Sequence, residues 1–162
     1  MITAAIVRDR LIYDPETGVF RYRQSGFGRM AGAVAGCVQP NGYVKMSLNG
    51  KNGWAHRIAW LYVYGEHPSG NIDHIDGNQA NNAIANLRVC DQSQNGANAK
   101  RRVDNSTGFK GVFYRKDTGR FTAYLTVKYK RKSLGCFNTA EEAHRAYVAA
   151  AEQHFNQFAR AA

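Results

Sequence analysis

The stretch IDHIDGNQANN, Ile72 to Asn82, sets one histidine between two carboxylates directly before an asparagine-rich loop. Taken alone, Asp76-Gly77-Asn78 and Asn81-Asn82 are ordinary turn chemistry. The neighbouring segments decide how the stretch reads. Asn71 to Ile75 has an extended pattern ahead of the turn, and Asn86-Leu87-Arg88-Val89 is a second short extended piece. Asp91 or Ser93 then caps a helix running toward Lys100. Upstream, WAHRIAWLYVYG, from Trp54 to Gly65, carries apolar residues at helical spacing and stops at Gly65 with Pro68 beyond. The local order is helix, strand, turn-rich loop, strand, helix.

Hydrolysis of a phosphodiester requires a water made nucleophilic, a cation to stabilise developing charge, and groups that hold both in line. His74 can accept a proton from water at neutral pH. Asp73 is a hard oxygen ligand, and Asn95 in QNGAN offers a neutral second one. Oxygen ligands without thiolates point to Mg²⁺ or Mn²⁺ rather than zinc. Adjacent residues on an ideal strand face opposite ways, so Asp73 and His74 converge on one phosphate only if the backbone twists or bulges. Otherwise Asp76, which shares the face of His74, is the alternative ligand.

The formal charge of +10 favours a polyanionic partner. Between Lys100 and Lys132 eleven Lys or Arg residues stand against Asp104 and Asp117 alone, so that segment holds nearly all of the excess. The N-terminus lacks a basic region ahead of a long apolar run, and nowhere do about 18 apolar residues run together, which disfavours secretion and membrane spanning and leaves nucleic acid as the expected polyanion. The cysteines, Cys37, Cys90 and Cys136, are dispersed and odd in number, which fits a reducing cytoplasm and neither a disulfide framework nor a paired-cysteine zinc site.

The N-terminal third reads as β-rich. LIYDPETGVFRYR places a turn before alternating residues, and Gly42 to Leu48 alternates before the hairpin signal Asn49-Gly50. Residues 101–107 read as a basic linker. Three strands follow, Phe109 to Arg115, Arg120 to Lys128 and Arg131 to Phe137. Thr139-Ala140-Glu141-Glu142 is a capping box that opens an Ala-rich helix ending near Phe155. The fold class expected is α+β, with domains at 1–100 and 108–162.

His74, eleven residues, Asn86, eight residues, Asn95: this spacing resembles the HNH, or ββα-metal, nuclease motif in the variant that ends on Asn. WAHRIAW, GEHPSGNIDHIDGNQANN, ANLRVC and QSQNGANAK resemble phage and intron-encoded HNH homing endonucleases across most of residues 11 to 100. The resemblance implies that His74 is the general base and that Asp73 and Asn95 hold one divalent ion, Mg²⁺ or Mn²⁺. It implies that Asn86 holds the loop and orients His74, and that cleavage leaves 5′-phosphate and 3′-hydroxyl ends. His56-Arg57 matches the HR pair of that family, with Arg57 able to touch phosphate.

From Gly108 onward, GFKGV, GRFTAYL and KSLGCFNTAEEAHRAY resemble the plant Apetala-type, ethylene-response-factor DNA-binding domain, in which a three-stranded sheet enters the major groove and a helix packs behind it. A narrow basic sheet fits a groove about 12 Å wide. Lys110, Arg115, Lys116, Arg120, Tyr124, Thr126 and Lys128 are the candidates for DNA contact, with Arg101 and Arg102 following the backbone in the linker. Phe121 and Thr126 replace the Trp and Arg common in plant domains, so plant sequence preference does not transfer. The expectation is a monomeric, metal-dependent endonuclease that nicks double-stranded DNA at a preferred site in a bacterial cytoplasm, without an obligate protein partner. The alternative is a non-catalytic DNA-binding regulator.

Overall fold

A computed structural model describes residues 1–26, 28–101 and 104–160. Its contacts divide the chain into two compact units, Met1–Cys90 and Asp91–Ala162. Helix and small antiparallel sheets alternate through both, as the α+β reading requires.

The first unit opens with α1, Ala4–Arg10, capped where the Thr3 hydroxyl accepts from the Ile6 amide. The sequence pattern did not announce this short helix. It leads directly into β1, Leu11–Tyr13, which pairs antiparallel with β2, Phe20–Tyr22. A second sheet joins β3, Cys37–Val38, to β4, Val44–Leu48, and β5, Lys51–Trp54. The β4–β5 turn is Asn49-Gly50 with φ of 50° and 74°, the positive values that favour this dipeptide.

Helix α2, Ala55–Tyr64, ends at Gly65, whose φ of 81° needs no side chain to be cleared. Its apolar face packs Ile58, Leu61 and Ala59 onto Val7, Leu11, Phe20, Met46 and Leu48. Full burial of each larger side chain contributes about 2 kcal/mol. β6, Asn71–His74, and β7, Leu87–Cys90, complete the unit as a hairpin joined by the long polar loop.

The second unit begins with α3, Gln92–Asn98, closed at its start by a capping box between Asp91 and Gln94. A three-stranded meander follows, with β9, Arg120–Val127, between β8, Val112–Arg115, and β10, Lys130–Phe137. The expected capping box of Thr139 and Glu142 opens α4, Ala140–Phe155, which packs on all three strands. Val112, Ala123 and Leu125 are buried with Ala143, Tyr147, Ala151 and Phe155. This unit therefore includes the helix that carries Asn95, along with the strands and helix expected after residue 108.

Candidate active site and nucleic-acid interface

His74 closes β6, and the loop after it is built from asparagine amides. The Asp76 amide donates to Asn86 Oδ1 at 3.0 Å, and Asn86 Nδ2 donates to Asp76 Oδ1 at 3.0 Å and to the Asn81 carbonyl at 2.9 Å. Asn81 Nδ2 donates to Asp76 Oδ2 at 2.8 Å, and the Asn78 amide donates to Asp76 Oδ1 at 2.8 Å. Desolvation raises the Asp76 pKa, but the bonds its carboxylate accepts from Asn78, Asn81 and Asn86, with the His74 charge, outweigh it and hold the carboxyl below its ordinary range. Asp76 thus knits the loop, and Asn86 bridges its two ends.

The imidazole of His74 is met by Asn82, which the sequence did not single out. Asn82 Nδ2 donates to the Ala80 carbonyl at 3.0 Å, which turns Oδ1 toward His74 Nε2 at 3.3 Å. An amide oxygen only accepts, so this contact is satisfied by the tautomer that carries its proton on Nε2. Burial lowers the His74 pKa, opposed by Asn82, Asp76 and Asp73, and so favours the neutral ring. At 4% exposure His74 sits under His56 and Tyr43, with ring centroids 5.2 and 5.8 Å away. His56, 8% exposed, has a buried Nδ1 without a hydrogen-bond partner, and desolvation pushes its pKa down to about 4.

Asn82 is itself supported from the N-terminal hairpin. The Tyr13 hydroxyl donates to its carbonyl at 2.7 Å, and the Ile84 amide donates to the Pro15 carbonyl at 3.0 Å. Gly18, at φ 72°, lies so close that a Cβ there would stand 2.2 Å from both the Asn82 carbonyl carbon and the Ala83 nitrogen.

Asp73 is opposite Arg88 in the β6–β7 register, as His74 is opposite Leu87, with no register shift between them. The bulge that would turn Asp73 and His74 to one face is therefore not present in this ladder. Instead Arg88 Nε and Nη2 each approach Asp73 Oδ2 at 2.8 Å, in an ion pair whose carboxylate is 5% exposed. The cross-strand position of Arg88 was recoverable from the two extended segments, but only once their register was known.

Among the other expected residues, Arg57 donates to the Gly70 carbonyl at 3.4 Å, bracing the start of β6. Asn95 is half-buried on α3, its amide donating to the Asp91 carbonyl at 3.0 Å. No group of three or more His, Cys, Asp or Glu side chains that could hold a metal is found among the described residues. The Asp73 carboxylate and the Asn95 side-chain amide are each hard oxygen donors, the type that suits a hard cation.

In the second unit, the packing of α4 decides which side chains of the sheet point away from the core. Val112, Ala123 and Leu125 face it, so Arg115, Arg120, Tyr124 and Thr126 lie on the opposite side of the sheet. Arg131, opposite Thr126, joins them, with its guanidinium 3.7 Å from the Tyr124 ring centroid and 4.4 Å from that of Phe113. It was missed because its aromatic neighbours come from two other strands. Arg115 pairs with Asp117, while Lys116 and Lys128 occupy the two hairpin turns. A cleft of about 860 Å³ runs beside this face, lined by Ser93, Arg101, Tyr124, Thr126 and Arg131 among others. Arg102 lies outside the described residues.

Lys110, expected on DNA, is placed differently. Its ammonium donates to the carbonyls of Ala97 at 2.5 Å and Ala99 at 2.6 Å, with Arg160 O at 3.4 Å. Desolvation and then the Arg160 charge push its pKa down to about 8, which leaves it cationic at neutral pH.

The chain belongs to a family that joins an HNH endonuclease domain to an AP2 domain. The HNH endonuclease family model matches residues 53–97 and the AP2 domain model residues 107–156. The chain is 33% identical over 106 residues to Protein 3.8 of Escherichia phage T7, an alignment spanning 65% of this chain and 87% of that protein. No solved structure matches it. The two domains imply DNA as the ligand, and no described helix is long and apolar enough to cross a membrane.

Proposed function

We propose that the protein is a divalent-metal-dependent, homing-type endonuclease that nicks double-stranded DNA at a preferred site, acting as a monomer in the cytoplasm of a phage-infected cell. The observation that carries this reading is the buried, neutral His74, whose contact with Asn82 is satisfied by the tautomer that leaves Nδ1 as the proton acceptor. His74 Nδ1 takes the proton of the attacking water. Asn86 holds the loop that presents His74, through its bonds to Asp76 and Asn81.

Asp73 and Asn95 are the metal ligands of this proposal. Asp76, which shares the face of His74, is the alternative carboxylate, because no bulge in the β6–β7 ladder turns Asp73 to that face. When bound, the Mg²⁺ or Mn²⁺ ion supplies positive charge to the phosphate and the leaving 3′ oxygen. Arg88 fixes the Asp73 carboxylate through Oδ2. The free sheet face, with Arg115, Arg120, Tyr124, Thr126 and Arg131, reads the duplex, while Lys116, Lys128, Arg57, Arg101 and Arg102 contact phosphates. A single histidine centre per chain accounts for one cut strand per binding event.

Supercoiled plasmid incubated with Mg²⁺, with EDTA, or with a His74→Ala variant tests the reading. Conversion to open circle that requires both the ion and His74 is expected, and sequencing of the ends should return 5′-phosphates at a recurring site. Tight binding without metal-dependent strand cleavage would leave a DNA-binding regulator in place of the nuclease.

A further inference from the structure

Helix α3 has only seven residues, too few to hold a helical conformation or a position by itself in water. Its placement comes from what surrounds it, and three tethers are present within the second unit. The Asp91–Gln94 capping box closes its first turn. Ser93 Oγ accepts from the Lys128 amide at 2.8 Å, in the β9–β10 turn. At the other end Lys110 Nζ reaches the carbonyls of Ala97 and Ala99, and the Arg160 amide donates to the same Ala97 carbonyl at 3.3 Å. A cation at the last carbonyls of a helix satisfies orphan acceptors and opposes the negative end of the helix dipole.

The backbone next to Lys110 is closely packed. Gly111 sits at φ 75° against the face of Tyr147, where a Cβ would stand 2.1 Å from the ring, and its carbonyl accepts from the Tyr124 amide at 2.9 Å. Tyr124 belongs to the outward face of the central strand. A continuous chain of bonded groups thus runs from the central strand of the sheet, through Gly111 and Lys110, to the carbonyls two and four residues beyond Asn95.

We infer that Lys110 is a positioning residue for Asn95, the metal ligand proposed above, and that it couples the DNA-reading sheet to the helix that carries Asn95. This rests on the proposed roles of Asn95 and of the divalent ion. It gives the residue a different task from its basic neighbours Lys116 and Lys128, which are exposed in turns.

The test uses the full chain carrying Lys110→Met, which keeps the stem and removes the charge, beside Lys110→Arg and the wild type. Two quantities are read: duplex affinity in EDTA, and the affinity of the protein–DNA complex for Mn²⁺, followed by the loss of free-ion electron paramagnetic resonance signal in a His74→Ala background that prevents cutting. Lys110→Met is expected to weaken Mn²⁺ binding by about tenfold, with duplex affinity changed by less than about twofold and partial recovery in Lys110→Arg. Unchanged Mn²⁺ affinity with weaker, less salt-dependent DNA binding would make Lys110 a phosphate contact and overturn the inference. Should Lys110→Met fail to fold by circular dichroism, Ser93→Ala removes the tether at the other end of α3; weaker Mn²⁺ binding is expected there, and unchanged binding sinks the coupling. Absence of metal-dependent nicking in the wild type would instead overturn the nuclease reading itself.

Discussion

Two side chains absent from the motif govern the chemistry around it. Asn82 offers an acceptor to the His74 tautomer that carries its proton on Nε2, so Asn82→Ala removes that acceptor and leaves a buried N–H unpaired, at a cost of about 1–3 kcal/mol. Nicking at saturating DNA is expected to slow by about tenfold or more with duplex affinity unchanged, since the tautomer and not DNA contact is lost. A uniform fall in DNA affinity with normal turnover would show that Asn82 serves the loop alone. Arg88 is the second. Its removal strands the Asp73 carboxylate at 5% exposure, so Arg88→Leu should destabilise folding by about 3 kcal/mol, read from urea unfolding. Asp73→Leu combined with Arg88→Leu should recover most of that loss, because the uncompensated charge disappears with its partner. A double variant as unstable as the single one would mean that packing, not charge, is at stake.

At the level of elements, the N-terminal β1–β2 hairpin is the underside of the histidine loop. Gly18→Ala forces a methyl to within 2.2 Å of the Asn82 and Ala83 backbone at a φ where side chains are already strained. A loss of more than about 2 kcal/mol in stability, with His74 displaced and nicking abolished, is expected from thermal melts and plasmid assays. The β9–β10 turn offers the opposite case, with Lys128 and Tyr129 at φ 47° and 64° without glycine. Tyr129→Gly should raise stability by ~1 kcal/mol, and if Tyr129 has no part in DNA binding the affinity will stay constant.

The elements themselves were largely legible in the sequence. Gly65 and Pro68 marked the end of α2, Asn49-Gly50 marked a hairpin, and Thr139 with Glu142 marked the start of α4, because these signals are local. What escaped was non-local. α1 was too short to show a period, Asn82 and Arg88 matter through partners eight and fifteen residues away, and Lys110 looked like its basic neighbours until its carbonyl partners came into place. The face of the sheet could not be assigned from alternation alone, since Thr122 and Ala123 are both buried and the side covered by α4 decides the parity.

For the molecule as a whole, buried imidazole sets the response to acid. Folded His56 takes up a proton only near pH 4, whereas the unfolded side chain does so near roughly 6.5. Between those values the unfolded chain holds more protons, so stability is lost as pH falls from about 6.5 toward 4, by up to ~3 kcal/mol. His74, lowered by burial too, acts in the same direction. His56→Phe should shallow the acid limb of a stability-versus-pH curve measured by denaturant titration; an unaltered limb would place the acid sensitivity elsewhere.

The grouping of α3 with the sheet and α4 bears on how such a chain can be recombined. A cut in the basic segment 101–107 would part Ala97 and Ala99 from the lysine that grips them, so a hybrid made there inherits a helix whose anchor belonged to another parent. A crossover between Cys90 and Asp91 transfers helix, anchor and sheet as one piece. Exchange of target specificity between relatives should therefore succeed at the end of β7 and fail at the linker, even though the linker is where the composition changes.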